Sequence, residues 1–511
     1  MNSCSCIGII DIGSNSIRLV IYEINAEGAY RVVTECKESA RLSERIGSNG
    51  VLPNEDILSI VPILTHFRRL CESRDTVSIR AVATAAIRNA GNSEEIVRML
   101  RQETGLEIEV LSGKEEARFG FLGVINTIDV EDGFIVDIGG GSTEVTLFRN
   151  RKLLESISFP FGSVNTTRQL MSNETGADAA LLSIKHMVEQ AMGRHPWISS
   201  NPGLPLIGLG GTVRSLGKMS QKKRKYSLSL AHNYKLKPDD LDFFITYLPT
   251  LPVEKRRKME GLSKNRADII VPGLVILHTI FRIAGAVNCI ISGSGLRDGL
   301  FFETTRPDRP VVDHVLTHSV RNLLTLHSSS AWRHVEQVSL LSVRLFDELA
   351  PIHGLGVEAR RCLSNAALLY RIGVNINYYQ FSRHTQYLIS QSRVDGLSHR
   401  EIALCSLIAS YKTKSLTRQI LLAHKDILEE SDENVITLLG ILLRLAIALD
   451  AGEIQLIREM TVSLTPKELH LSLDSESYPF IELREIEALS KDFQKAWGLK
   501  LKVQAAGFSM K

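Results

Sequence analysis

The chain has 511 residues, of which 44% are hydrophobic and 23% charged, a composition typical of a soluble globular protein with about three or four domains. A net charge of only +3 excludes a bulk attraction to nucleic acid, so any polyanion site must be local. The seven scattered cysteines include no CxxC pair, which favours reduced thiols over a disulfide framework or a zinc site.

The N-terminal sequence lacks the basic and apolar segments of a secretory signal, and its first apolar residues belong to a predicted strand. The most apolar long segments, residues 269–287 and 435–449, contain charged residues and are predicted to be buried helices rather than membrane spans. We therefore expect a cytoplasmic protein with no membrane and no specific nucleic-acid partner.

The first 300 residues alternate between strand and helix patterns, which predicts an α/β layer architecture. The predicted elements are, in chain order, a strand pair at 7–24, a helix at 54–71, a strand at 77–83, a helix at 93–104, a strand at 108–111 followed by a helix, a strand from 134, a strand at 206–209 followed by a helix, a helix at 269–281 and a strand at 288–291.

The pattern changes after residues 304–310, which contain two prolines and are predicted to be a linker. Residues 311–451 are predicted to be mostly helical. Short strands at 461–464, 468–473 and 480–483, then a final helix and strand, complete the prediction.

One strand–turn–strand unit occurs twice. The segments IIDIGSNSIRLVIY (residues 9–22) and IVDIGGGSTEVTLF (residues 135–148) align without a gap, so that Asp11 matches Asp137, Gly13 matches Gly139 and Ser16 matches Ser142. Glycine turns bring backbone N–H groups close to an anion, and a neighbouring carboxylate suits hydrated Mg²⁺. A single such turn is also compatible with a plain strand connection, but the duplication predicts two related domains that face one cleft.

Six motifs in this order resemble the exopolyphosphatase / guanosine pentaphosphate phosphohydrolase family of the sugar kinase, Hsp70 and actin superfamily. They are DIGSNSIRL (11–19), TAAIRNA (84–90), LSGKEEARFGFLGV (111–124), VDIGGGSTE (136–144), GLGGT (208–212) and SGSGLRDG (292–299). The resemblance implies two actin-like, ribonuclease H-like domains at residues 1–124 and 125–303. A helical HD-like domain at 304–455 and a small α+β subdomain at 456–511 would follow.

The same resemblance implies that the cleft removes the terminal phosphate from a polyanion. Glu116 matches the family's general base, and its neighbour Glu115 would point about 100° away on a helix. Arg88 would neutralise charge on the transferred phosphoryl group. The expected Mg²⁺ ligands are Asp137, Glu144 and Asp11. The expected phosphate-binding residues are Gly13, Ser14, Asn15, Gly139, Gly140, Gly141, Ser142, Gly210, Gly211, Thr212 and Arg266.

Other basic residues remain open to two interpretations. Arg297 is a weaker phosphate-binding candidate than Arg88. The basic runs at residues 218–225 and 255–258 either attract a long phosphate chain or are solvated surface charges.

The helical region resembles an HD-type domain, with His334, His384 and Asp450 at matching positions. The HD pattern also has an adjacent His-Asp pair, where this chain has Tyr370–Arg371. The pattern has a later Tyr-His pair, where this chain has Tyr411–Lys412. A cationic Arg at a metal-carboxylate position argues against a divalent metal site. The region is therefore predicted to be structural, to dimerise, or to form part of a polyanion track.

Three functions follow as hypotheses. The first is an exopolyphosphatase acting on inorganic polyphosphate. The second is removal of the 5′-phosphate of guanosine pentaphosphate, with guanosine penta- or tetraphosphate as the expected partner. The third is a non-catalytic sensor that binds either ligand. A kinase of the same superfamily is disfavoured, because Glu116 suits the activation of water. A homodimer is expected from the family resemblance alone.

Overall fold

The structure is a computed structural model that describes residues 4–47, 49–171, 177–327 and 332–505. The chain forms two compact units. The N-terminal unit contains Met1–Lys225 and Leu230–Val315, and the C-terminal unit contains Tyr226–Ser229 and Leu316–Lys511. The finer division into four domains stays a prediction.

Two sheets form the framework of the N-terminal unit. The first contains β1 (Ser5–Ile12), β2 (Ser16–Ile24), β3 (Tyr30–Ser39), β4 (Thr76–Ala83) and β5 (Ile108–Val110). The second contains β6 (Gly133–Ile138), β7 (Thr143–Arg149), β8 (Lys152–Phe159), β9 (Leu206–Leu209), β10 (Tyr234–Leu236) and β11 (Cys289–Ile291).

The two sheets share one topology. The first has the strand order β3-β2-β1-β4-β5, and the second has β8-β7-β6-β9-β11 with β10 added at the edge. In each sheet, three strands that are consecutive in the chain form antiparallel pairs. The next two strands in the order run parallel to the central strand, which is β1 in the first sheet and β6 in the second. The central strands β1 and β6 are almost fully buried, and isoleucine, valine and phenylalanine provide most of their side chains. The sequence duplication is therefore a duplication of structure.

The helices of the N-terminal unit cover these sheets. They are α1 (Leu42–Arg45), α2 (Asn54–Glu72), α3 (Ala85–Arg88), α4 (Ser93–Thr104), α5 (Gly113–Ile125), α6 (Ser163–Met171), α7 (Ala177–Gly193), α8 (Gly210–Lys223), α9 (Pro238–Tyr247), α10 (Val253–Arg256), α11 (Ile270–Ile283) and α12 (Leu296–Thr305).

Helices α5 and α12 pack closely because glycines line their interface. A Cβ atom added at Gly123 would lie 2.2 Å from the carbonyl oxygen of Gly295, and one added at Gly299 would lie 2.0 Å from that of Phe119. No side chain fits in so short a gap without moving backbone. This contact fixes α5, the helix that carries Glu116, against the second half of the unit.

We expect Gly123→Ala to destabilise the N-terminal unit by about 1–3 kcal/mol, because its methyl group would overpack this contact. The substitution should lower the thermal midpoint of unfolding. It should also reduce activity, because a shift of α5 would move Glu116. Gly193→Ala is the matched control, since nothing lies within 4 Å of its added Cβ. Equal midpoints for the two variants would contradict the packing argument.

The C-terminal unit is mostly helical, as predicted, and contains one sheet of three strands in the order β12-β13-β14. Its helices are α13 (Val315–Leu326), α14 (Trp332–Glu348), α15 (Ala350–His353), α16 (Val357–Leu369), α17 (Phe381–Gln391), α18 (His399–Ala409), α19 (Lys414–Ala423), α20 (Asp432–Ala448) and α21 (Phe480–Trp497). Its strands are β12 (Ile457–Leu464), β13 (Glu468–Ser475) and β14 (Lys500–Ala505).

One predicted strand in this unit is wrong: residues 480–483 form the first turn of α21. That helix buries Ile486, Leu489, Phe493 and Trp497, which recur at helical spacing beyond the short apolar run. A run of four residues is too short to distinguish the two-residue period of a strand from the 3.6-residue period of a helix.

At the HD-like positions, His334 is buried and contacts two side chains. Its Nδ1 lies 2.7 Å from Oδ2 of Asp450, and its Nε2 lies within hydrogen-bonding distance of the Tyr370 hydroxyl. Arg371 forms an ion pair with Glu453 instead of approaching His334. Tyr370 and Arg371 are thus engaged by other side chains, and His384 is half-buried on α17.

All seven cysteines are free thiols, five of them buried. Within residues 4–47, 49–171, 177–327 and 332–505, no helix combines the length and apolarity needed to cross a lipid bilayer.

Candidate active site

The two duplicated turns lie side by side and have the same internal geometry. The amide of Gly13 donates to the carbonyl oxygen of Ser16 at 3.2 Å, and that of Gly139 donates to the carbonyl oxygen of Ser142 at 3.0 Å. A Cβ added at Gly140 would lie 3.1 Å from Cβ of Ser14. The turns therefore meet across the two halves of the N-terminal unit.

These turns form part of the wall of a cavity of about 130 Å³. Twelve of the predicted site residues line it: Asp11, Gly13, Ser14, Asn15, Glu116, Asp137, Gly139, Gly140, Ser142, Gly210, Gly211 and Arg266. Residues from both sheets thus converge on one space, as the duplication predicts.

The two neighbouring glutamates at the start of α5 have different environments. Glu115 completes a capping box: the Ser112 amide donates to its Oε2 at 2.8 Å, and this hydrogen bond lowers the pKa of Glu115. Glu116 instead lines the cavity. The structure thus separates a helix-capping carboxylate from one that faces the cavity.

Burial raises the pKa of Glu116 to about 7, and the nearby Arg88 guanidinium opposes part of that rise. Nη1 of Arg88 donates to Oε2 of Glu116 at 2.8 Å and to the carbonyl oxygen of Leu111 at 2.9 Å. Arg88 does not line the cavity among the residues that the structure describes. It is placed to orient Glu116 and to set its charge.

The pH profile of activity tests this pairing. A base with a pKa of about 7 is deprotonated above that pH, so kcat/KM should fall as the pH drops below about 7. Removing the cation in Arg88→Met should raise the pKa of Glu116 further, and the acid limb should move to higher pH. An unchanged limb in this variant would show that Arg88 does not act through Glu116.

The aspartates of the two turns are both half-buried in the cavity wall. Burial raises the pKa of Asp11, and it raises that of Asp137 to about 6. Gly210 has φ of +83°, and a Cβ added there would lie 2.8 Å from Oδ1 of Asp137. Glycine is required at this position, because a side chain would push the turn away from the carboxylate.

The cavity wall contains four arginines, Arg18, Arg214, Arg266 and Arg297, and four carboxylates, Asp11, Glu116, Asp137 and Asp298. Burial and mutual repulsion lower the pKa of Arg18 and of Arg266 to about 10. A Cβ added at Gly211 would lie 1.8 Å from Nη2 of Arg266, so the guanidinium lies directly on this glycine. Four half-buried cations in one wall repel one another, and the neighbouring carboxylates or a bound anion offset that repulsion.

Sequence reasoning missed two of these arginines. Arg18 pairs with Asp11 in the register of β1 and β2, a signal that the strand pattern could have revealed. Arg214 lies on the first turn of α8, just after Gly210 and Gly211. It could have been found as a cation one helical turn beyond a glycine pair.

Four predicted residues lie outside the cavity wall. Glu144 is buried behind it and accepts a hydrogen bond from Oγ of Ser158 at 2.7 Å, and burial raises its pKa well above the usual value. Arg88 is paired with Glu116, as described above. Gly141 and Thr212 pack against neighbouring elements.

The residues present fit a hydrated divalent cation. Asp11 and Asp137 place carboxylates on one cavity, and Oδ1 of Asn15 is a buried acceptor with no hydrogen-bond partner among the described residues. The described residues contain no group of three or more His, Cys, Asp or Glu side chains arranged around a common point. This arrangement suits Mg²⁺, which is commonly held by one or two carboxylates, water and substrate phosphate.

Comparison with known sequences identifies the relatives of this chain. The profile of the Ppx/GppA phosphatase family matches residues 20–306, and the profile of Ppx/GppA phosphatase domain III matches residues 315–491. The chain belongs to the Ppx/GppA phosphatase family. This membership confirms the family prediction and supports a phosphoanhydride hydrolase.

Solved structures of Ppx/GppA proteins resemble the chain over most of its N-terminal part. The crystal structure of the Aquifex aeolicus family member is 26% identical with a TM-score of 0.52, and the match covers 60% of this chain and all of that one. An exopolyphosphatase from Cytophaga hutchinsonii is 20% identical with a TM-score of 0.55, again over 60% of this chain and all of that one.

The predicted fold class is confirmed: two actin-like domains are followed by a mostly helical region that corresponds to Ppx/GppA domain III.

Proposed function

We propose that the chain is an exopolyphosphatase that hydrolyses the terminal phosphoanhydride bond of inorganic polyphosphate. The observation that carries the proposal is the position of Glu116, a half-buried carboxylate with a pKa of about 7, in one cavity with four arginines. A base beside guanidinium groups that can hold phosphate oxygens suits attack by water on a polyanion.

In this mechanism Glu116 accepts a proton from water as the water oxygen bonds to the terminal phosphorus. The bridging P–O bond breaks, and the shortened polyphosphate leaves with its electron pair. The arginines compensate the charge of the phosphate oxygens and hold the terminal group in line for attack. Backbone N–H groups of the two glycine turns provide further donors to these oxygens.

Asp11 and Asp137 would hold Mg²⁺. Glu144, which pairs with Asp137 across strands β6 and β7, would support them from behind the cavity wall. A cation held there would supply charge neutralisation to the phosphate. The base, the arginines and the glycine turns all belong to this chain.

A second candidate is hydrolysis of the 5′-terminal phosphate of guanosine pentaphosphate, because the same terminal phosphoanhydride group would fit the arginines. The cavity of about 130 Å³ has mostly polar and charged lining residues. It contains no aromatic side chain that would stack on a base among the described residues, which favours the inorganic chain. A non-catalytic sensor would not need a base in the cavity.

A substrate comparison tests the proposal. We expect Mg²⁺-dependent phosphate release from long-chain polyphosphate, with a higher kcat/KM than for guanosine pentaphosphate, and loss of activity when EDTA removes the metal. A large preference for the nucleotide would replace the first candidate by the second. Absence of turnover on both substrates would favour the sensor. A cytoplasmic location and a homodimer remain part of the proposal.

A further inference from the structure

The C-terminal unit contains a second cavity, with a volume of about 180 Å³. Four aromatic rings and two cationic side chains stand out in its lining: Tyr370, Tyr379, Phe381, Tyr411, Lys412 and Arg444. Aliphatic residues of α18 and α20 provide most of the remaining surface. An engineered apolar cavity of about 150 Å³ is enough to bind benzene, so this space suits an aromatic ring system.

The floor of the cavity is fixed by packing. The ring of Tyr411 lies against α20, where a Cβ added at Gly440 would be 2.3 Å from its Cγ. The Tyr370 side chain is buried and its hydroxyl is held by His334. Two aromatic surfaces are therefore already in place before a ligand arrives, which lowers the entropic cost of binding.

The rim of the cavity carries one exposed aromatic residue, Tyr379, with two exposed apolar residues beside it in the sequence. The side chain of Tyr379 is 89% exposed, and Ile376 and Tyr378 beside it are also exposed. Large apolar groups that cluster at the mouth of a concave site commonly mark a binding surface. The exposed face of Tyr379 is thus available for stacking.

The two cations give the site its charge preference. Lys412 is exposed and forms no ion pair with another residue in the part of the chain that the structure describes. Arg444 donates from Nη1 to Oδ2 of Asp492 at 3.1 Å and keeps about a third of its side chain exposed. Lysine and arginine beside aromatic walls favour a ligand that joins a flat ring to an anionic group.

We propose that this cavity binds a planar aromatic anion of purine mononucleotide size. The ring enters between the tyrosines, and the phosphate lies towards Lys412 and Arg444. The positions where the HD pattern is lost, Tyr370 and Tyr411–Lys412, are then the ones that form the new site.

Titration calorimetry of the full-length protein with adenosine 5′-monophosphate tests the proposal. This probe has no phosphoanhydride bond, so the active site cannot hydrolyse it as a substrate of the proposed reaction. We expect measurable binding, with weaker binding of adenosine and of inorganic phosphate. Tyr379→Ala and Lys412→Glu should each weaken binding by about fivefold or more, because each removes one of the two recognised features.

Two variants serve as matched controls. Tyr387 is an exposed tyrosine of the same segment that does not line the cavity, so Tyr387→Ala should leave the affinity unchanged. Arg266→Met alters only the active-site cavity and should also leave it unchanged.

Three results would overturn the proposal. One is no binding of the mononucleotide at millimolar concentration. Another is loss of binding in Arg266→Met with full binding in Tyr379→Ala, which would place the probe in the active site. The third is a change in oligomeric state in Tyr379→Ala with no change in affinity, which would make the exposed rim a self-association surface.

Discussion

Replacing Glu116 by glutamine is expected to lower kcat for phosphate release from polyphosphate by about 10²–10⁴-fold, the range typical of a lost general base. The amide keeps the size of the side chain and its place in the cavity wall but cannot accept the proton of water. Substrate affinity should change little, because the arginines remain. Phosphate release under saturating polyphosphate measures the effect.

Glu115→Gln is the matched control, because it alters the adjacent residue on the same helix. Its side-chain oxygen can still accept the hydrogen bond from the Ser112 amide, so the capping box and α5 should be preserved. We expect nearly full activity. If Glu115→Gln lost as much activity as Glu116→Gln, the assignment of the base to the cavity-facing residue would be wrong.

Replacing Arg266 by methionine is expected to reduce kcat/KM for polyphosphate by about 10–100-fold. A charge-assisted hydrogen bond to phosphate is worth roughly 1.5–3 kcal/mol, and methionine removes it while keeping an unbranched side chain. The loss should appear mainly in KM, because the arginine is proposed to bind the chain rather than to move a proton. Steady-state kinetics over a range of salt concentrations measure both parameters.

Arg257→Met provides the comparison for this experiment. Arg257 is an exposed arginine of a neighbouring segment that does not line the cavity, so its loss changes the net charge equally. We expect its kcat/KM to stay within about twofold of the wild-type value at moderate salt, because exposed charges are screened. Similar losses in both variants would mean that general electrostatic attraction, rather than a contact in the cavity, controls binding.

The part of the site that could be predicted is the part carried by local sequence. A strand that ends in Asp-Ile-Gly predicts a turn from local sequence alone. The same pattern recurs after 126 residues, which predicts a second turn of the same kind. The duplication therefore predicted that Asp11 and Asp137 face a common space. The alternation of strands and helices gave the fold class for the same reason.

The remainder depended on contacts between distant segments. The glycine pair before Arg214 marks it as a candidate, but its partner Arg18 lies on a distant strand, and their meeting in one cavity is set by the packing of two sheets. The ion pair between Arg88 and Glu116 joins residues that are 28 positions apart and belong to different motifs. The sequence therefore predicted a separate role for each side chain and did not indicate that the two contact each other.

The glycine contact between α5 and α12 joins two segments of the chain that both supply residues to the cavity. Glu116 and Arg18 come from the segment before residue 125, whereas Asp137, Arg214, Arg266 and Arg297 come from the segment after it. Neither segment alone carries every residue of the proposed mechanism. If these residues act as proposed, activity should depend on the alignment of the two sheets, and a small shear between the sheets should abolish activity while every helix and strand stays intact.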